Sequence, residues 1–150
     1  MALMTALTAV LMMLAIGGSV ALNTMTEATI AANHRDGLQT LYAAEAGIDL
    51  SLSRLRGMAD WTAAAPDPRG TTLVQGTLAN LLQVTTVDPR LNVTAWVIPD
   101  PNGDPNVLIV QAIGSSAGGT RRAVQVTIRG APAAPSATTR NIEVVVWRER

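Results

Sequence analysis

The first 26 residues form one apolar run without a charged side chain, and the first charge in the chain is Glu27. As an α-helix, 26 residues would extend about 39 Å, enough to cross a bilayer core of about 30 Å. Small and hydroxylated residues occur throughout the run, and small residues let helices approach closely where hydrophobicity alone gives no reason to associate. The pattern therefore predicts a hydrophobic helix over residues 1–26 that packs against copies of itself.

Two other interpretations of residues 1–26 stay open. A cleaved secretory signal has a positive n-region, a short apolar stretch and a small-residue cleavage site. Ser19-Val20-Ala21 resembles such a site, but no positive residue precedes the apolar run. The third interpretation is a plain membrane anchor, which needs only the length and the apolar composition.

Gly17 and Gly18 are the point in this run where a helix is least favoured, because each Gly costs about 1 kcal/mol relative to Ala. They predict a kink or a locally extended segment near Gly17–Ser19. A continuous helix that tolerates both glycines is the alternative.

From Glu27 the pattern becomes amphipathic. One face carries aliphatic residues at steps of three, four and seven, namely Leu38, Leu41, Ile48, Leu52 and Leu55. Glu45 lies in the middle of that face. Because an unpaired buried charge is costly, Glu45 is predicted either to pair with an Arg or a neighbouring subunit, or to reach water at an edge position.

The amphipathic pattern ends at a helix stop. Arg54 and Arg56 suit a helix C-terminus, and Gly57 can end the helix. A single helix from about residue 2 to residue 56 would be about 80 Å long. A domain of about 100 residues cannot cover that length, so the first half of the helix must contact lipid or other chains.

The second part of the chain is predicted to be mostly strand. Residues 58–72 read as a loop, and 71–87 is ambiguous: a short helix fits Leu73–Leu82, and a strand fits Gln83–Val87. Turn signals separate four clearer strands over 92–98, 107–113, 121–129 and 141–147, with a linker at 130–136.

These elements predict an α+β fold in which a long N-terminal helix packs on a small antiparallel β-sheet. Residues 1–57 form the helix, divided into a hydrophobic part (1–26) and an amphipathic part (27–57). Residues 58–150 form the sheet-bearing globular part.

Composition removes several classes of function. The net charge is zero, all eleven basic residues are Arg, and no Cys is present. Disulfides and thiolate metal sites are therefore excluded, and neutral charge with few aromatic residues argues against a nucleic-acid ligand. His34 is the only histidine, and we expect it to be solvated or to contact a neighbouring helix. No catalytic constellation can be assembled, so we expect no enzyme activity.

One run resembles the start of a Ca²⁺-binding loop, because oxygen-bearing residues alternate at Asp100, Asn102, Asp104 and Asn106. Pro105 replaces the Gly of the sixth position and Gln111 the Glu of the twelfth, while hairpin loops select the same residue types. We expect no resident cofactor, with Ca²⁺ as the secondary possibility. The sequon Asn92-Val93-Thr94 lies inside a predicted strand, and such short motifs are common by chance. Arg121-Arg122 could contact phosphate or an acidic group of a partner, but a solvated strand end is the favoured interpretation.

Three features of the chain resemble the type IV pilin-like proteins, and more narrowly the PilX-like minor pilins. The first is the charge-free N-terminal run with glycines part-way along. The second is the stretch from Ala31 to Ile48, in which Ala43-Ala44-Glu45-Ala46-Gly47 is similar to the family's "AAEAG" signature. The third is the turn from Gly114 to Arg122 in a C-terminal sheet.

The resemblance implies a subunit that a prepilin peptidase processes, so that Met1 would be the first mature residue and a candidate for N-methylation. Most pilins carry Glu at the fifth mature position, and this sequence has Thr5. The assembly candidates are Met1, Thr5, Gly17, Gly18 and Glu45.

The leading hypothesis is a structural subunit of an extracellular type IV pilus-like filament on the bacterial surface, polymerising through its N-terminal helix. Its expected partners are copies of itself, the pilus assembly machinery and, before assembly, the inner membrane. Adhesion and motility are the functions that the resemblance associates with such a fimbrium. The alternatives are a low-copy minor or tip pilin, a type II secretion pseudopilin, and a membrane-anchored binding module.

Overall fold

The computed structural model describes residues 2–58, 60–132 and 140–149, and it divides the chain into two compact units. The N-terminal unit is Met1–Arg35 and the folded unit is Asp36–Arg150. Helix α1 covers Ala2–Arg56, which confirms the predicted single helix. Residues 17–19 are helical, so the extended segment predicted near Gly17–Ser19 is wrong and the helix continues through both glycines.

The C-terminus of α1 forms as the sequence predicts. The backbone N–H of Gly57 donates to the carbonyl of Arg54 at 3.1 Å, and that of Met58 donates to Leu55 at 3.1 Å. Arg54 and Arg56 lie in the last turn, where positive charge is favourable beside unpaired carbonyls. The Arg54 guanidinium also donates to the Leu73 carbonyl, which ties the helix end to the first strand.

The sheet has five antiparallel strands in the order β1-β2-β3-β4-β5, one more than the sequence predicts. The α+β class and the antiparallel sheet are confirmed. The elements are β1 Thr71–Thr77, α2 Leu78–Leu82, β2 Asn92–Pro99, β3 Val107–Ser115, β4 Arg121–Pro132 and β5 Arg140–Glu149.

In residues 71–87, which the sequence left ambiguous, the strand precedes the helix, and this order is the reverse of the expected one. Residues 71–77 are the strand, paired with β2 from Thr71↔Val97 to Thr77↔Asn92, and the short helix α2 follows them. Residues 83–87, predicted as a strand, form turns, and Val84 is 39% exposed. Because Gln83 has a left-handed backbone with φ 55, the chain turns away after α2 and does not enter the sheet.

The strand predicted over 121–129 is longer than expected. Strand β4 continues to Pro132, so the start of the predicted linker at 130–136 is in fact strand. The rest of that linker, from 133 onward, lies outside the described residues.

One face of the sheet packs on the second half of α1, through a helix face that differs in part from the predicted stripe. Leu52 and Leu55 are buried as expected, but Leu38 is 39% exposed, so its predicted place in the stripe is wrong. The buried helix positions are mostly small: Thr40, Ala43, Ala44, Gly47, Ile48, Ser51, Leu52 and Leu55. The buried face of the helix is therefore rotated relative to the predicted stripe, because small residues let the helix backbone approach the strands.

The approach is closest at two glycines. A Cβ added to Gly47 of α1 would lie 2.5 Å from Val93 Cγ1, and one added to Gly114 of β3 would lie 2.8 Å from the backbone N of Ala44. The Gly114 Cβ would also overlap the Thr40 carbonyl. Such contacts are closer than van der Waals packing permits, so the helix–sheet distance depends on the absence of side chains here.

The loop after α1 closes one end of this core with Trp61. Its side chain is fully buried, and its indole Nε1–H donates to the Leu55 carbonyl at 3.1 Å. The ring lies over Gly130 of β4, where an added Cβ would be 2.5 Å from Trp61 Cζ2. The loop predicted at 58–72 therefore contributes to the hydrophobic core.

We expect Gly114→Ala to destabilise the folded unit by about 3 kcal/mol, the upper end of the usual cost of overpacking, because the added methyl group meets helix backbone that cannot rotate away. Gly57→Ala is the matched control, since its Cβ would meet only the Arg54 carbonyl at 3.5 Å, an ordinary contact. Chemical unfolding of the detergent-solubilised chain, followed by near-UV circular dichroism of the tryptophans, measures both. Equal stability of the two variants would contradict the close packing.

Candidate assembly and membrane surface

The N-terminal unit presents an apolar surface that is exposed over all of its described residues. Every described residue from 2 to 35 is exposed. The large apolar side chains among them are Leu3, Met4, Leu7, Val10, Leu11, Met12, Met13, Leu14, Ile16, Val20, Leu22, Met25 and Ile30. The most apolar 18-residue window of α1 has a mean hydropathy of 2.0 and is 0% buried. By length and composition the helix can span a membrane.

The apolar side chains surround this part of the helix. Successive residues are rotated by about 100°, so Met12, Met13 and Leu14 point to three different sides. A helix that is hydrophobic all round is typical of complete burial in protein or lipid, whereas a helix lying on a surface has one polar face. The N-terminal unit is therefore suited to an environment that encloses it.

The hydroxyl groups of this helix are already satisfied within it. Each donates to a carbonyl three or four residues earlier, at 2.8–3.1 Å, from Thr5, Thr8, Ser19, Thr24, Thr26 and Thr29. An unpaired hydroxyl would cost free energy in an apolar environment, and these bonds remove that cost. The threonines and Ser19 therefore combine small size with compatibility with lipid or packed protein.

Asn23 is the exception in the apolar run. Over residues 2–26 it is the one polar side chain that is not a hydroxyl, and the structure gives its amide no hydrogen bond within the described part of the chain. Amide side chains hydrogen-bond across helices in apolar surroundings. A lone Asn in a charge-free run is the sequence signal for such a contact, and Asn23 is not among the residues predicted above.

The structure places the predicted assembly residues in two separate units. Thr5, Gly17 and Gly18 belong to the N-terminal unit, and a Cβ added to either glycine would meet no atom within 4 Å. Glu45 belongs to the folded unit, where it is half-buried and forms no ion pair with any described residue. Pairing with a neighbouring subunit and exposure to water at an edge position both stay predictions. Met1 lies outside the described residues.

The Asp100–Asn106 run is a hairpin loop between β2 and β3, held by its own hydrogen bonds. The backbone N–H of Asn106 donates to Asp104 Oδ1 at 2.9 Å, and the N–H of Gly103, which has φ 80, donates to the Asp100 carbonyl at 2.9 Å. Across the described residues, no group of three or more Asp, Glu, His or Cys is placed to hold a metal. These carboxylates organise the turn, as such residues do in hairpin loops.

The remaining sequence candidates lie on the surface. Arg122 and Glu149 form a long ion pair of 4.0 Å with about half of each side chain exposed, and such pairs contribute little to stability. Arg121 and His34 are exposed, and Asn92 is exposed at the start of β2. None of these residues converges on another candidate to form a site.

Comparison with known proteins identifies no relative: no protein-family model, no curated protein and no solved structure matches the chain. The apolar N-terminal unit is therefore the surface from which function has to be argued.

We expect Leu14→Arg to weaken membrane insertion of residues 2–26 by about 3 kcal/mol, the cost of an arginine at the centre of a membrane helix. Leu14→Met, which preserves apolar size, is the control and should insert like the unchanged chain. Insertion is measured as the membrane-integrated fraction of newly synthesised chain that resists carbonate extraction. Complete extraction of the unchanged chain and of both variants would show that this helix does not enter the bilayer.

Proposed function

We propose that this chain is a non-enzymatic structural subunit of a type IV pilus-like filament, which polymerises on the bacterial surface through its N-terminal helix. Before assembly the same helix holds the subunit in the inner membrane. The observation that carries the proposal is the wholly exposed apolar surface of residues 2–35.

The size of that surface supports a function that encloses the helix. Burying thirteen large apolar side chains at about 1.5 kcal/mol each gives on the order of 20 kcal/mol per subunit. No chain can leave this much apolar surface in water without association. Lipid encloses it in the unassembled subunit, and the helices of neighbouring copies enclose it in the filament.

Transfer from lipid to filament needs a further contribution, because lipid is as apolar as another helix. Close packing at small residues supplies dispersion contacts that lipid provides less well, and Gly17 and Gly18 leave their surroundings open for a neighbouring helix. The hydroxyl groups, which donate to carbonyls of their own helix, add no desolvation cost in lipid or in the filament. The charge-free residues 2–26 can therefore exchange one apolar environment for the other at little cost.

The folded unit suits the exterior of such a filament. It buries its own core, whose residues lie between Ala43 and Ile128. Exposed polar residues of the sheet and loops can then face water. The assembly machinery and a prepilin peptidase are the partners that the proposal requires.

The proposal is tested on filaments sheared from cells and purified without detergent. We expect this chain to be the dominant protein by mass spectrometry and by imaging, and we expect cells producing Leu14→Arg to lose the filaments while cells producing Leu14→Met keep them. Filaments in which this chain is absent or substoichiometric would overturn the main-subunit proposal and support the low-copy minor, tip or pseudopilin alternative. Recovery of the chain only from the inner membrane would support an anchored binding module.

A further inference from the structure

Strand β5 is an edge strand whose core-facing side is left open. It has one sheet neighbour, β4, among the described residues. Its Val144 and Trp147 pair with Ile128 and Val126 and share their face of the sheet. Both residues of β4 are fully buried, yet Val144 and Trp147 are each 47% exposed. The apolar face of the sheet therefore extends one strand beyond its cover.

The outer edge of β5 has an apolar centre and is unpaired among the described residues. The strand spans Arg140–Glu149 without a proline, and its centre is the run Val144-Val145-Val146-Trp147. An edge strand presents a row of unpaired N–H and C=O groups that another strand can extend. The two charged residues that flank this apolar run, Glu143 and Arg148, then determine which partner strand fits.

A β-bulge determines which β5 residues share a face. Thr127 pairs with Val146 and Ile128 with Val144, so Val145 is an extra residue without a partner in β4. As a result Val144 and Trp147, three apart, lie on the core-facing side. Glu143 and Arg148, five apart, both lie on the opposite side, because they pair with Arg129 and Gln125.

With this bulge, β5 is complementary to itself. In an antiparallel pair of two copies with Val145 opposite Val146, Val144 of one copy lies opposite Trp147 of the other. Glu143 lies opposite Arg148, and the two-fold symmetry repeats both pairs. Each pair lies on one face of the joined sheet, and opposite charges directly across a strand pair are favourable. The strand at the other sheet edge, β1 (Thr71–Thr77), has no charged residue to match them.

From this complementarity we infer that β5 is a self-association surface, through which two copies of the chain join their sheets by antiparallel β5–β5 pairing. The contact has two-fold symmetry and so closes on itself. It links two folded units without the N-terminal helix, and it does not depend on the proposed filament function. In a filament-forming chain it would join subunits of adjacent filaments or pair subunits before assembly.

The register is tested by cysteine pairing, since the chain contains no cysteine of its own. Full-length Glu143→Cys and Arg148→Cys variants are mixed in detergent micelles and mildly oxidised. We expect a disulfide-linked dimer in the mixture, because directly opposed Cβ atoms lie about 5 Å apart. Neither variant should cross-link alone, since its own cysteines would be about 17 Å apart. No cross-link in the mixture, or equal cross-linking of one variant alone, would overturn the pairing.

Charge reversal tests the pairing without oxidation. Glu143→Arg and Arg148→Glu should each weaken self-association about tenfold, because both symmetry-related pairs become repulsive. Mixing the two variants should restore association as heterodimers, in which Arg lies opposite Glu at both sites. Arg121→Glu, an exposed charge whose sheet partner is Ser115, is the control and should associate normally. Failure of the mixture to recover would contradict the inferred register.

Discussion

The close approach of a helix to a sheet is the constraint on which the folded unit depends. Gly47 and Gly114 lie where α1 and the sheet meet, and neither position has space for a Cβ. Helix packing at this distance requires small residues on both surfaces, and Ala43, Ala44, Ala95 and Ala112 supply them. The alanine- and glycine-rich stretch of α1 therefore has a direct physical role, which is to bring helix backbone onto strand backbone.

This packing divides the apolar surface of the chain into a covered part and two uncovered parts. The covered part is the core between the second half of α1 and the sheet, closed at one end by Trp61. The uncovered parts are the apolar residues of the N-terminal unit and the core-facing side of β5, where Val144 and Trp147 remain exposed. Large exposed apolar surfaces on a stable fold mark places where other molecules bind. The two surfaces differ in kind, since one needs complete enclosure and the other offers a strand edge.

The sequence predicts the elements well where the pattern is long and periodic. The extent of α1, its end at Arg56 and the four later strands follow from hydrophobic spacing and turn residues. The buried helix face was harder to predict, because hydrophobicity favours Leu38 while the structure buries Thr40 and Ala43 for their small size. Strand β1 and the loop residue Trp61 were missed as parts of the core because both depend on distant partners, β2 and Gly130.

Prediction from the sequence is limited in the same way for the surfaces proposed for function, because they also depend on the fold. The apolar run over residues 1–26 is evident from composition, yet the exposure of its described residues could be established only from the fold. The self-complementarity of β5 depends on the bulge at Val145, which places Glu143 and Arg148 on one face. Strict alternation along a strand puts residues five apart on opposite faces, so the sequence alone would have missed this pairing.

The central claim is that residues 2–35 are enclosed by other copies of the chain in the assembled state. A single Leu11→Cys substitution tests it most directly in detergent-free filaments sheared from cells, using a water-soluble thiol reagent before and after the filaments are dissolved in detergent. We expect the thiol to be protected in intact filaments and labelled after dissolution. Full labelling of the thiol in intact filaments would contradict it.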